Sequence, residues 1–570
     1  MSNSVLLQLL LFLAAVLIFV KPLGWYIARV YSGQRCGLNL FIEPIIRFIQ
    51  RCCGIDPAQE MDWKQYLFAL LLFNFVGLLS VYALQRLQYY LPFNPQAMVG
   101  VPPDLAFNTA ASFVTNTDWQ AYSGEISMSY LTQNLALTVQ NFLSAATAMS
   151  VLMAFIRGII QHETTNLGNF WNDMLRGVMY ILLPLSLLLA IILASQGVIQ
   201  NYKSYEQVQL ISPQSTNITQ TIPMGPVASQ VAIKQLGSNG GGFFNANSAH
   251  PFENPTVFTN VLELLAIVLI PVALCYSFGM LINDRRQGWT LLIAMVIIFI
   301  PCSYVAIVSE QQGNPQFVSV GVEQNGNMEG KETRFGVASS ALWASVTTAI
   351  SHGSVNSMHD SFTPLGSIMP LFLMHLGEIV FGGVGCGLYG MLMLVIITVF
   401  VSGLMVGRTP EYLGKKIEPF EMKMAATSVL IVPLLVLLCT ALAAISIHAI
   451  EHLGNPGAHG FTEMLYAFTS MTANNGSAFA GLDANNWFYN IIGGLVILVG
   501  RYWIVIPILA IAGSLATKKN IPVTAGTLAT HTPLFTALLL SIILIIGALS
   551  FLPALALGPI AEHLLLWKSV

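Results

Sequence analysis

The chain has 570 residues, of which 55% are hydrophobic and 9% charged, and its formal net charge is −3. A soluble domain carries nearer a quarter of charged residues and a nucleic-acid binder carries a basic face, so the composition excludes both classes. Seven cysteines, mostly in or beside apolar stretches, form no disulfide framework, and Cys52-Cys53 has no second pair at zinc spacing.

Ten apolar runs follow in chain order, at roughly 4–22, 65–85, 128–155, 174–196, 257–282, 289–308, 364–404, 425–450, 487–512 and 533–553. A run of ~20 residues crosses ~30 Å of hydrocarbon, so the expected fold is an all-α polytopic membrane protein. The first run lacks a basic start and an A-x-A-like cleavage site and reads as a retained span. The seventh is too long for one simple crossing. It carries Phe381-Gly382-Gly383-Val384-Gly385 in its middle, and glycine at that density weakens a helix, so a break is expected there.

Four Gly/Asn/Ser breaks interrupt the apolar pattern, at 115–120, 238–243, 351–356 and 474–479. Aligned on Thr117, Gly240, Gly353 and Gly476, they lie 123, 113 and 123 residues apart. Such a period predicts four copies of one unit. Each break follows a short helix-like segment, at 104–115, 227–236, 335–350 and 461–471, and precedes a full span. The unit is therefore span, re-entrant helix, extended strand, span. The resulting organisation is an extra N-terminal span and connection (1–61), four repeats (62–160, 161–285, 286–420 and 421–515) and a C-terminal span (516–570). The connections 197–226 and 309–333 are polar and read as solvated caps.

With the N-terminus placed outside, sixteen Lys/Arg fall on the cytoplasmic connections and six on the outer ones (Arg86, Lys203, Lys234, Lys331, Arg334, Lys568), with Arg501 inside a span. That bias fixes orientation and puts all four breaks on the outer side.

Irregular backbone at membrane depth survives only where it is buried in protein or lines a water-filled path. Four such breaks suit a selectivity filter of backbone carbonyls. Its members are Thr115, Asn116 and Thr117; Asn239, Gly240 and Gly241; Ser351, His352 and Gly353; and Asn474, Asn475 and Gly476. Glycine at the aligned position is expected to supply φ > 0. Hard divalent cations require carboxylates, and the strands hold a single acid, Asp118, so the cargo is a monovalent cation; composition does not separate potassium from sodium. Gln120 is placed at the outer mouth with Asp118. Glu378 and Arg501, ionisable at membrane depth, are placed on the ion path, Arg501 as a barrier to free leak below the filter. No G-x-x-x-x-G-K-[ST] occurs, so the chain is expected to bind no nucleotide and to hydrolyse none. A stand-alone channel or ion-coupled symporter has the same pore class.

Long motifs sharpen this reading. FVTNTDWQ (113–120), LGSNGGGFFNANSAHPFENPT (236–256), MHDSF (358–362), GEIVFGGVG (377–385), GRTPEYLGKK (407–416) and ANNGSAFAG (473–481) resemble the potassium-binding A subunit family (KdpA) of the bacterial Kdp potassium-transporting ATPase over essentially the whole chain. The resemblance implies a bacterial inner-membrane location, potassium (K+) as the transported ion, and three partners: the P-type ATPase subunit KdpB, the subunit KdpC and the single-span KdpF. It implies that Gln120 and the glycines at 240, 353 and 476 are filter-region residues. Gly382, Gly383 and Gly385 would form a gate, and Arg408 a coupling contact to the ATPase subunit. Asp118 departs from the Asn expected at that position and adds charge near the mouth.

Overall fold

A computed structural model of the chain describes residues 2–210, 219–316, 321, 326–522 and 527–568. Parts of the caps at 197–226 and 309–333, and the Lys568 side chain, lie outside the described residues. Among the described residues, ten helices are long and apolar enough to cross a membrane: Leu6–Tyr31, Trp63–Tyr90, Thr132–Ile160, Phe170–Ser195, Val257–Leu281, Arg285–Gln312, Cys386–Met405, Pro419–Ile445, Trp487–Thr517 and Pro533–Leu566. We number them as spans one to ten. Several of their starts carry side-chain caps. Asp62 with Gln65 and Thr256 with Thr259 make reciprocal capping pairs, and Asn486 caps the ninth span.

Between spans two and three, four and five, six and seven, and eight and nine, the chain forms the short helices Pro103–Val114, Val227–Leu236, Gly336–Ala349 and Gly457–Ala473. The fourth begins four residues earlier than its apolar pattern suggests, at Gly457, whose φ is +71. The long seventh run is divided as anticipated, with a helix at Pro364–His375 followed by irregular chain up to Cys386. Two features lacked a sequence signal. Glu206–Gln209 and Thr219–Ile222 pair as an exposed antiparallel hairpin within the first polar cap. Glu411–Tyr412 and Lys415–Lys416 pair after the seventh span. Neither has an alternating apolar face.

The four units close on themselves. The ninth span, from the last unit, packs on the short helix of the first. Asn108 Nδ2 donates to the Asn490 carbonyl (3.0 Å), and Asn490 Nδ2 donates to Asp104 (2.9 Å). The first span lies outside the ring against the fifth, where Ser277 Oγ donates to the Gly24 carbonyl at 2.8 Å. In a membrane, burial of apolar side chains gives no net drive between helices, and small residues bring backbones together instead. A Cβ on Gly158 would lie 2.5 Å from the Ala512 carbonyl oxygen, and one on Gly500 would lie 2.1 Å from that of Thr472.

Gly500→Ala should therefore force the ninth span away from the helix before the fourth break. Overpacking of this kind costs about 1–3 kcal/mol. We expect a clear fall in the thermal unfolding midpoint in detergent. Gly37→Ala, with nothing within 4 Å of the new methyl, should leave the midpoint unchanged.

Candidate functional site

The four breaks meet at one place. A Cβ on Gly240 would sit 2.7 Å from the Thr117 carbonyl oxygen and 3.0 Å from Gly353 Cα. One on Gly353 would sit 2.7 Å from the Gly476 carbonyl carbon and 2.9 Å from Gly240 Cα, and one on Gly476 would sit 2.0 Å from the Thr117 oxygen. The aligned positions thus face one another, and the glycines are needed for close approach. Only Gly476, at φ +97, also has the left-handed backbone expected of the aligned glycines; Gly240 and Gly353 do not. That conformation falls instead on their neighbours: Asn116, Asp118, Ser238, Gly241, Ser351 and Asn474 all have φ between +49 and +67. Non-glycine residues held there store strain, which the surrounding hydrogen bonds must hold.

Those bonds run around the ring from each break to the next. From first to second, Asn116 Nδ2 donates to the Ser238 carbonyl (2.7 Å), Asn239 Nδ2 donates to Asn116 Oδ1 (2.7 Å), and Gly240 N donates to Asp118 Oδ2 (3.0 Å). From second to third, Gly353 N donates to the Asn239 carbonyl (3.1 Å), and His352 Nε2 pairs with Gln235 Oε1 (2.7 Å). From third to fourth, Ser351 Oγ donates to the Asn474 carbonyl (3.0 Å), and Asn475 Nδ2 donates to the Thr347 carbonyl (3.3 Å). The fourth closes on the first through Asn474 Nδ2 to Thr117 Oγ1 (2.9 Å), and Thr115 Oγ1 bonds Thr117 Oγ1 from behind (2.7 Å).

Above the convergence lies a cavity of about 690 Å³, lined by Trp119, Gln120, Gly241, Gly353, Val355 and Gly476 among others. Gln120 stands on its wall with its amide committed. Its Nε2 donates to the Gly242 carbonyl and its Oε1 accepts from Gly242 N, both at 3.0 Å. Asp118 is not on that wall; it is fully buried behind the second break.

At the deep end of the breaks lies the irregular chain between Pro364–His375 and Cys386. Gly382 N donates to the Ala349 carbonyl (3.2 Å), and a Cβ on Gly383 would touch Ile350 and Ser351. A Cβ on Gly385 would lie 2.5 Å from the Ala148 carbonyl oxygen on the third span. Gly377, Glu378, Phe381, Gly382 and Gly385 all have positive φ; the glycines take it freely, and Glu378 and Phe381 are the two held there against their preference. Both Glu378 carboxylate oxygens are buried without a hydrogen bond of normal geometry, beside Ser351 and Asn475. Arg501 follows Gly500 on the ninth span. It is 9% exposed, beside Cys386 and Tyr389, and near enough to Asp118 and Glu378 to act on both carboxylates through space.

Arg408 is remote from all of this. It is exposed in the turn after the seventh span, its N–H donating to the Gly403 carbonyl (2.8 Å).

The supports of the second break were not foreseen. Lys234, counted by sequence as an outer-side charge in the short segment 227–236, is fully buried and paired with Glu253 at 2.6 Å, and it also donates to Asn247 and Ser248. Glu253 in turn accepts from Phe244 N (2.9 Å). Glu263 accepts from Gln235 (2.6 Å) and Ser248 (3.0 Å). Lys331, in the connection 309–333 read as a solvated cap, makes a fully buried pair with Glu310 at 2.7 Å. On the third and fourth breaks, His359 Nδ1 pairs with Tyr466 OH (2.9 Å), which meets Ser477 Oγ (2.8 Å). Burial, with Lys331 nearby, pushes His359 down to about 3, so it is neutral.

Asp118→Ala would leave the buried Gly240 N–H without its acceptor, a loss of about 1–3 kcal/mol. Asp118→Asn keeps an acceptor oxygen and should retain most of the stability. Thermal unfolding of the two variants side by side checks this.

Comparison with known proteins gives a consistent result. A family profile described as "Potassium-transporting ATPase A subunit" (KdpA) matches residues 10–564. A "Potassium-transporting ATPase potassium-binding subunit" of Sorangium cellulosum is 58% identical over 99% of each chain, and one of Herpetosiphon aurantiacus is 59% identical over 99% of each. Among solved structures, the potassium transporter TrkH from Vibrio parahaemolyticus superposes with a TM-score of 0.51 at 12% identity, covering 85% of this chain and 96% of that one. At that identity the likeness is one of fold.

Proposed function

The chain belongs to the potassium-transporting ATPase A subunit family, and from that premise we propose that it selects potassium from outside the cell and passes it to a partner P-type ATPase subunit. The observation that carries the reading is the closed ring of hydrogen bonds around Thr117, Gly240, Gly353 and Gly476. A ring of backbone carbonyls can replace an ion's hydration shell only if its strands are held in register. Thr117 and the residues of the other three breaks form the filter, with Gln120 fixing the edge of the second strand at the mouth.

Glu378 offers a carboxylate to a cation leaving the filter. The Gly-rich segment around Gly382, Gly383 and Gly385 is the gate, because it touches the deep end of the third break and holds Glu378 and Phe381 beside those glycines at positive φ. Arg501 beneath it opposes free passage of a cation. Beside the gate, a cavity of about 70 Å³ lies among His375, Gly377, Ile379, Val432, Ile504 and Ile543, between the last four spans. It offers a lateral way out towards the ATPase subunit KdpB. Arg408, with the exposed Leu404, Met405 and Val406 before it, forms the docking edge for that subunit. KdpC and KdpF complete the complex in the bacterial inner membrane, with the N-terminus outside by the Lys/Arg bias and with ATP bound by the ATPase subunit alone.

Gln120→Arg puts a cation at the mouth and removes the bond to Gly242 N. We expect at least a tenfold higher potassium concentration for half-maximal ATPase stimulation of the purified complex, with assembly intact. Gly240→Ala should narrow the difference between potassium and sodium in the same assay. Full potassium discrimination in that variant would count against the filter. Potassium flux through the chain alone in liposomes, with no ATPase copurifying, would instead support the channel reading.

A further inference from the structure

Away from the ring, Asp360, His459 and Glu463 come together at the cap face. One ligand atom from each lies within 4.8 Å of the other two. Asp360 is on the short turn His359–Ser361 after the third break. His459 and Glu463 are four residues apart on the helix Gly457–Ala473 before the fourth, and that spacing puts both on one helix face.

We propose that Asp360, His459 and Glu463 form a binding site for a zinc-class divalent cation that fastens the outer loop of the third repeat to the helix of the fourth. Three features support an ion here rather than a chance polar contact. The first is spacing. A tetrahedral ion with ligands at about 2.0–2.1 Å holds its ligand atoms about 3.3 Å apart, and His459 Nε2 already lies 3.1 Å from Asp360 Oδ1. The second is the set of groups behind the ligands. A metal-bound histidine gives its other ring N–H to a carboxylate, and ligating carboxylates are themselves hydrogen-bonded. His459 Nδ1 lies 2.8 Å from Glu562 Oε1. Glu463 accepts from Asn455 Nδ2 (2.8 Å) and Gly454 N (3.1 Å). The third is room for the carboxylates. A Cβ on Gly481 would lie 2.6 Å from Asp360 Oδ2 and 2.8 Å from Glu463 Oε1, so the absence of a side chain there lets the two acids approach from opposite elements.

The donor set is one imidazole and two carboxylates. Imidazole favours zinc and its transition-metal neighbours over magnesium or calcium, which require all-oxygen sites. Asp360, His459 and Glu562 also line a cavity of about 560 Å³, which gives an ion its entry path and room for a water as fourth ligand. Through His359 and Tyr466, next to Asp360 and Glu463, the site reaches Ser477 of the fourth break. A bound ion therefore stiffens two of the four strands from behind, without entering the potassium path.

The test uses the assembled complex, freed of any polyhistidine tag and stripped with chelator. Zinc chloride is titrated, and bound zinc per complex is counted by elemental analysis beside the thermal unfolding midpoint. We expect one equivalent lost in His459→Gln and in Asp360→Asn, each losing the zinc-dependent rise in midpoint. Glu562→Gln should keep the equivalent with 10- to 100-fold weaker affinity. Potassium-stimulated ATP hydrolysis without zinc confirms that each variant is folded. No stoichiometric zinc in the unmodified complex, or an undiminished equivalent in both His459→Gln and Asp360→Asn, would overturn the site.

Discussion

Four interrupted stretches of backbone must meet at membrane depth with almost nothing between them, and this demand governs the rest of the molecule. At three of the four aligned positions no side chain can stand, because a Cβ on Gly240, Gly353 or Gly476 would fall within 3 Å of a neighbouring strand; the fourth, Thr117, turns its hydroxyl to Thr115 and Asn474. The peptide groups of these strands cannot be paired as in a helix or a sheet, yet unpaired groups at this depth cost several kcal/mol each. Strand N–H groups bond back to the helix ahead of each strand (Thr117, Asn239, His352 and Asn475 N to the Ser112, Lys234, Thr347 and Ser470 carbonyls), and side-chain amides tie one strand to the next. Asn116, Asn239, Asn474 and Asn475 each bond across to another strand or to the helix ahead of one. An asparagine carries donors and an acceptor on one short arm, which lets it both hold its own strand and pin the next.

A second layer supports the first. The buried pairs Lys234–Glu253 and Lys331–Glu310 place full charges in a setting where an isolated charge would be prohibitive. Their value lies in geometry rather than in net stability. Lys234 fixes Asn247 and Ser248, and Ser248 connects to Glu263 and Ser354, so the second and third breaks share one polar scaffold. On the opposite side, Trp343 and Thr347 hold the Ser354 carbonyl (2.9 and 2.7 Å). This cross-bonding above contrasts with the segment below, where both Glu378 carboxylate oxygens are buried without a hydrogen bond of normal geometry.

Much of this was legible in the sequence, for reasons that can be named. Span number follows from run length alone, and the fourfold repeat follows from the spacing of Thr117, Gly240, Gly353 and Gly476. The division of the seventh run was legible because glycine density is a local signal. Contacts between distant residues left no such mark. Nothing near Lys234 or Lys331 announces that Glu253 or Glu310 will reach it, so Lys234 was counted only as an outer-side charge and Lys331 fell in a segment read as a solvated cap. Asp118 read as a charge at the mouth because its neighbour Gln120 is there, but the left-handed backbone at Asp118 turns its side chain towards Gly240 N. The glycines were expected to be needed for their φ, and close approach of four strands cannot be read from one strand at a time. The cluster of Asp360, His459 and Glu463 was invisible for the same reason.

The most direct test is to locate the ion. Thallium(I) is an electron-rich substitute for potassium, and its anomalous scattering marks its position in crystals of the complex. Peaks in single file among the carbonyls of Thr117, Gly240, Gly353 and Gly476, reduced when potassium competes, are the predicted result. Thallium bound at other positions with none on that axis would contradict the account.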